Sequence, residues 1–170
     1  MIRKEIITLL KNTGLPENIV NHVLAVEKLS LKTASLILNT NPELKLDLEL
    51  ISKGALLHDI GRSVTHKITH AIEGKKLAEK FCKDKRVLDI IENHIGAGIT
   101  KEEAELLGLP PKDYVPLTLE EKIVANADNL LSGDKKTGIL RLYNKLLNQG
   151  NIAPANRVLK LYDEIMLMIL

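Results

Sequence analysis

Apolar residues recur at helical spacing along almost the whole chain, and no convincing run of alternating β-branched residues lies between turn signals. That pattern restricts the fold to helices packed on helices, and the expected class is all-α. Aromatic residues make up only 2% of the 170 residues and Trp is absent, so the core must be built from Leu, Ile, Val and Ala. A chain of this length buries a sizeable core without disulfides or a structural metal. One domain over residues 1–170 is expected, with a motif-bearing core at about 16–135 and scaffold helices at about 138–170.

The punctuation is regular. A first helix covers Ile2 to Asn12 and stops at Gly14; a second starts at Pro16, carries Ile19, Val20, Val23, Val26 and Leu29 on one face, and runs towards Leu38. Leu48 to Leu57 forms a third, delivering His58 and Asp59 in its last turn, with Gly61 as terminator. Arg62 to Ile68 reads as a loop. Helices follow over Thr69 to Phe81 and Lys85 to His94, and Ile95-Gly96-Ala97-Gly98 ends the latter. Thr100-Lys101-Glu102-Glu103 and Thr118-Leu119-Glu120-Glu121 are capping boxes that open two more helices. Gly133-Asp134-Lys135-Lys136 breaks the second of these. Two closing helices, about Gly138 to Asn148 and Pro154 to Leu170, carry no His and read as scaffold. The tail Ile165 to Leu170 is apolar all round, which suits a buried helix or a homo-oligomer contact.

Composition narrows the partners. Net charge is +2 with no basic arm or stripe, and so few aromatics leave no stacking platform for single strands, so long nucleic acid is not expected. Small anions remain. The single Cys82 excludes an internal disulfide framework and a Cys-rich zinc site; it reads as a small buried hydrophobe in a reducing cytoplasm. No stretch reaches the length of a membrane span and the first residues lack a signal-peptide core, so a soluble cytoplasmic protein is expected.

The chemistry sits in His22, His58, Asp59, His70, His94 and Asp128. An adjacent His-Asp pair arises readily by chance, but these residues fall on or at the ends of separate helices, and a bundle can bring such side chains together in its core. Neutral imidazole and carboxylate suit Zn, Mn, Fe, Ni or Co, and mixed N and O ligation leaves positions open for water and substrate. Arg62, directly after the His58-Asp59-Ile60-Gly61 segment, is the best anion-binding candidate, because a guanidinium grips an oxyanion with two parallel bonds. Lys67, Lys75 and Lys122 are lesser ones, and Glu92 reads as a solvent-facing helix residue, with support of His94 as the alternative.

His22 with Val26, His58-Asp59-Ile60-Gly61 and Asp128 within Ile123-Val124-Ala125-Asn126-Ala127-Asp128 together resemble the HD superfamily of metal-dependent phosphohydrolases. The resemblance spans roughly residues 16 to 135 and implies a helical bundle in which His22, His58, Asp59 and Asp128 hold a divalent metal. In two-metal branches a His with Gly four residues on, and a later His at a helix end, complete the site; His70 with Gly74 and His94 occupy those places. The expected cofactor is therefore one or two ions, Asp59 the catalytic residue, and Arg62 and His66 the substrate-side residues. The expected reaction is hydrolysis of a phosphoester or phosphoanhydride of a nucleotide or related small molecule. A dinucleoside tetraphosphate hydrolase-like activity, and a regulatory module that binds metal and nucleotide without turnover, are the alternatives.

Overall fold

The computed structural model describes all 170 residues and is an all-α bundle. Its helices are α1 (Arg3–Asn12), α2 (Glu17–Thr40), α3 (Leu48–Leu57), α4 (His70–Ala78), α5 (Lys85–Asn93), α6 (Lys101–Leu106), α7 (Leu119–Asn129), α8 (Ile139–Asn148) and α9 (Ile152–Leu167). Both capping boxes form: the hydroxyls of Thr100 and Thr118 accept from the backbone N–H of Glu103 and Glu121, whose carboxylates reach back to the cap N–H. Asp47 and Asp84 cap α3 and α5 in the simpler way, each side chain accepting one backbone N–H.

One aliphatic cluster of 30 buried residues forms the core. It takes Val20, Val23, Val26 and Ile37 from α2, Leu50, Ile51 and Ala55 to Leu57 from α3, Ile90 and Ile91 from α5, and Ile123 and Val124 from α7. The central contact is α2 on α3, and α5 and α7 close round α3. α3 and α5 approach closely because Gly54 has no side chain: a Cβ there would sit against the Ile90 side chain.

Several details depart from the sequence reading. A one-turn 3₁₀ helix, Ile60–Ser63, spans the expected stop at Gly61 and the start of the loop expected over Arg62 to Ile68, and it packs on α4. Gly61 allows this, since a Cβ would overlap the His70 carbonyl oxygen and the Gly74 N–H. It is thus a close-approach residue more than a helix stop. The break at Gly133 is a short antiparallel hairpin, β1 (Leu131–Ser132) and β2 (Lys135–Lys136). Cys82 is only half-buried at the core margin. Glu92, expected in solvent, is buried, and its carboxylate binds Lys75 and Lys112. α9 buries Ala155, Val158, Leu161 and Ile165 on one face, whereas Leu167 and Leu170 are exposed. No helix is long and apolar enough to cross a membrane.

Candidate metal centre

Five elements deliver six polar side chains to one space. His22 comes from α2, His58 and Asp59 follow α3, His70 opens α4, His94 closes α5, and Asp128 lies in the last turn of α7. His58, Asp59, His70 and His94 are buried; His22 is nearly so, and the Asp128 side chain keeps 23% of its surface, which makes it the open side of the cluster.

The four imidazoles share one orientation. In each, Nδ1 meets a backbone carbonyl: Gly133 for His22 (2.7 Å), Ala55 for His58 (2.7 Å), Lys67 for His70 (2.8 Å) and Ile91 for His94 (2.8 Å). A carbonyl only accepts, so Nδ1 carries the proton and Nε2 is left to face the cluster. That is the tautomer imposed on a metal-ligating histidine by a backbone acceptor. Three of the four acceptors lie three residues before their own histidine, so the local helical geometry at each site sets the ring.

Asp59 stands between two groups of nitrogens. Its Oδ2 is 3.7 Å from Nε2 of His22 and 3.8 Å from that of His58, while Oδ1 is 3.1 Å from Nε2 of His70 and 3.6 Å from that of His94. Asp128 Oδ1 is 2.9 Å from His22 Nε2 and 3.7 Å from His58 Nε2. Two sets of donor atoms are close enough to converge on an ion: His22, His58 and Asp128, and His58, Asp59 and His94. His58 Nε2 and Asp59 Oδ1 are buried without a hydrogen-bond partner, an arrangement that costs free energy unless a cation or water completes it.

The electrostatics favour the ligand protonation state at Asp59, Asp128 and His94 and oppose it at His22. Burial works against the Asp59 charge, but His58, His70 and His94 outweigh it and hold the carboxyl well below its ordinary range. Asp128 is held low in the same way, against burial, by His22 and His58. Burial pushes His94 down, towards neutral imidazole. For His22 burial is again opposed, here by the Asp128 hydrogen bond and charge, and its pKa rises to about 9. With Nδ1 donating to Gly133 and Nε2 to Asp128, His22 is an imidazolium until something displaces its Nε2 proton.

Arg62 donates from Nε to Asp59 Oδ2 at 2.7 Å, so it braces the central carboxylate. It also lines a cavity of about 760 Å³ that reaches His70, His94 and Asp128. His66 lies exposed in the turn before α4 and is not among the cavity-lining residues. Lys75 is bound to Glu92, Lys122 to Glu164, and Lys67 is exposed. The sequence reading missed the Gly133 carbonyl, which orients His22 from 111 residues away. It also missed α8 and α9, expected as scaffold, which supply much of the cavity wall. The only signal for the latter was the cationic residue beside a leucine on successive turns of α8, Arg141-Leu142 and Lys145-Leu146.

A helical bundle that turns four imidazoles and two carboxylates onto one space belongs to the class of His/Asp metal-binding domains. The HD domain family model matches residues 19–133, and the chain belongs to that family. HD domains bind divalent metals, and the His/Asp clusters described above can hold one. An uncharacterized protein of Methanocaldococcus jannaschii is 48% identical over 162 residues, 94% of each chain. A tRNA (cytidine(56)-2'-O)-methyltransferase of Picrophilus torridus is 45% identical over 157 residues; the match covers 92% of this chain but only 44% of the relative. A ribonuclease Y of Acidothermus cellulolyticus is 33% identical over 84 residues, 48% of this chain and 16% of the relative. No solved structure matches significantly.

Proposed function

We propose that the protein is a metal-dependent phosphohydrolase that cleaves a phosphoester or phosphoanhydride of a nucleotide or related small molecule with water. The observation that carries this reading is the common orientation of the four histidines, every Nδ1 anchored and every Nε2 turned towards Asp59 or Asp128 at the head of a cavity. His22, His58, Asp59 and Asp128 would hold one divalent ion, and His70 and His94 with the other oxygen of Asp59 a second. When bound, such ions supply Lewis-acid activation of water and charge neutralisation at the phosphoryl group near pH 7. The chain's own groups do the rest. Asp59, fixed by Arg62, presents its two oxygens to the two histidine pairs, and Arg62 is the cation through which an entering phosphate meets the centre. Asp128, on the open side, faces the cavity and accepts the His22 proton's hydrogen bond. His66, exposed and off the cavity, has no part in this reading.

The relatives named as a tRNA methyltransferase and as ribonuclease Y bear on the substrate. The aromatic-poor composition argued against long nucleic acid; these names give that exclusion no support and favour a second reading, in which the phosphodiester cleaved belongs to RNA. A dinucleoside tetraphosphate belongs in the same panel. Protein purified without chelator is expected to carry transition metal, and to hydrolyse at least one member of a panel of phosphomonoesters, nucleotides, dinucleoside tetraphosphate and short RNA when supplied with Mn, Ni, Fe or Co. Metal binding with no turnover of any of them would replace this reading with a regulatory module that binds without hydrolysis.

A further inference from the structure

The cavity is lined by four cationic side chains, Arg62, Arg141, Lys145 and Arg157, and by two acidic ones, Glu103 and Asp128. Their pairing divides them. Arg62 is held at the centre by Asp59. Arg157 is ion-paired with Glu103 and also donates to the Gly98 carbonyl. Asp128 is taken by His22. Arg141 bonds only neutral acceptors, the Thr137 hydroxyl at 2.9 Å and the Leu131 carbonyl at 3.0 Å, so its charge is uncompensated although its position is fixed. Lys145 has neither a hydrogen bond nor an ion pair and is exposed at the cavity lining.

Arg141 and Lys145 stand four residues apart on α8 and therefore on one face. Leu142 and Leu146, next to them, line the same cavity, as do Ile95 and Leu131. The wall thus offers two unpaired cations beside an apolar surface, in a space shared with His70, His94 and Asp128. Unpaired cations lining a concave site focus anions into it. A substrate with one phosphate at the centre leaves them unused.

Resting on the phosphohydrolase reading above, we propose that Arg141 and Lys145 form a second phosphate subsite, so that the substrate is a nucleotide carrying a further phosphate besides the one cleaved. The apolar lining of the same cavity takes the nucleoside. A bisphosphorylated mononucleotide and a 5'-phosphorylated dinucleotide both present this chemistry.

The test is calorimetric titration in the cold of the manganese-loaded protein with AMP, adenosine 3',5'-bisphosphate and 5'-phosphorylated ApA. The wild type is expected to bind at least one of the two-phosphate ligands about tenfold more tightly than AMP, the scale of one charge-assisted contact. Lys145→Gln, an exposed side chain bonded to nothing, is expected to remove most of that preference and leave AMP binding unchanged. Adding salt should narrow the preference in the wild type and not in the variant. Tighter binding of the bisphosphate identifies a small nucleotide as the source, and tighter binding of the dinucleotide alone identifies an internucleotide phosphate. Equal affinity for all three ligands, or a preference that survives in both Lys145→Gln and Lys145→Glu, overturns the subsite and leaves the metal centre standing. Binding of none of the three overturns the nucleotide reading itself and the subsite with it.

Discussion

Nε2 of His70 and Nε2 of His94 lie 3.2 Å apart, although each ring has its Nδ1 proton committed to a backbone carbonyl. Two lone pairs therefore face each other across a distance that suits a hydrogen bond, beside the unpartnered Oδ1 of Asp59. Without a cation or an extra proton this contact is repulsive. A ligand that binds only the folded state stabilises it by about 2.7 kcal/mol at one hundred times its dissociation constant. For a chain of this size that corresponds to about 5–10 °C in Tm. Metal-replete protein is expected to melt higher than chelator-treated protein by such an amount in scanning calorimetry. Coincident melting curves would remove the metal from the centre.

The two oxygens of Asp59 face different histidine pairs, so variants on either side should separate the ions. His94→Ala is expected to lower the bound metal from about two ions per chain to about one if both sites fill, as in two-metal hydrolases. Asp59→Ala removes the shared carboxylate and is expected to lose most metal and all hydrolysis. Elemental analysis of purified variants reads the first effect, and a metal-supplemented phosphoester assay the second. Full turnover by Asp59→Ala would refute the assigned centre.

What was legible beforehand follows from how local each cause is. Helix starts at Thr100 and Thr118 depend on residues three apart, and both capping boxes formed as their sequence implies. The six clustered residues were legible because each carries its chemistry in its side chain and sits at a helix end or on an interior face. Gly61 was misread because its reason is tertiary: it touches His70 and Gly74, which no window around residue 61 contains. Glu92 was misread for the same cause, since its lysine partners come from α4 and from the segment before Tyr114. The cavity wall from α8 and α9 was hidden because cations on an amphipathic helix look alike whether they face water or a cavity.

Gly61 should tolerate no side chain. An added methyl meets backbone atoms of His70 and Gly74, which cannot swing aside as a side chain end could. Overpacking typically costs about 1–3 kcal/mol, and contact with backbone puts this site at the upper end. Gly61→Ala is expected to lower Tm by several degrees and to reduce metal content, because relief requires α4 to carry His70 away from Asp59. Gly74→Ala, whose nearest neighbours leave 3.1 Å, should be milder. A native Tm and full metal content in Gly61→Ala would show that the 3₁₀ turn can shift at little cost.

A metal ion held by His22 would have to displace the proton on its Nε2. Burial, the largest influence on this ring, lowers its pKa, yet Asp128, with the Gly133 carbonyl and Asp59, more than offsets it and the folded value is about 9 against an ordinary 6.5. The folded state of the metal-free protein therefore binds this proton more tightly than the unfolded state does. The resulting stabilisation is fully present below about pH 6.5 and is lost as pH rises through about 9. Chelated protein is expected to lose Tm across that window, and His22→Gln should flatten this slope. Metal affinity should run the other way, rising with pH towards 9 as the Nε2 proton becomes easier to displace, with proton release on binding that shrinks over the same range. Metal titrations in buffers of different ionisation enthalpy measure that release. A proton count that does not change between pH 6.5 and 9 would mean that His22 is not the group being displaced.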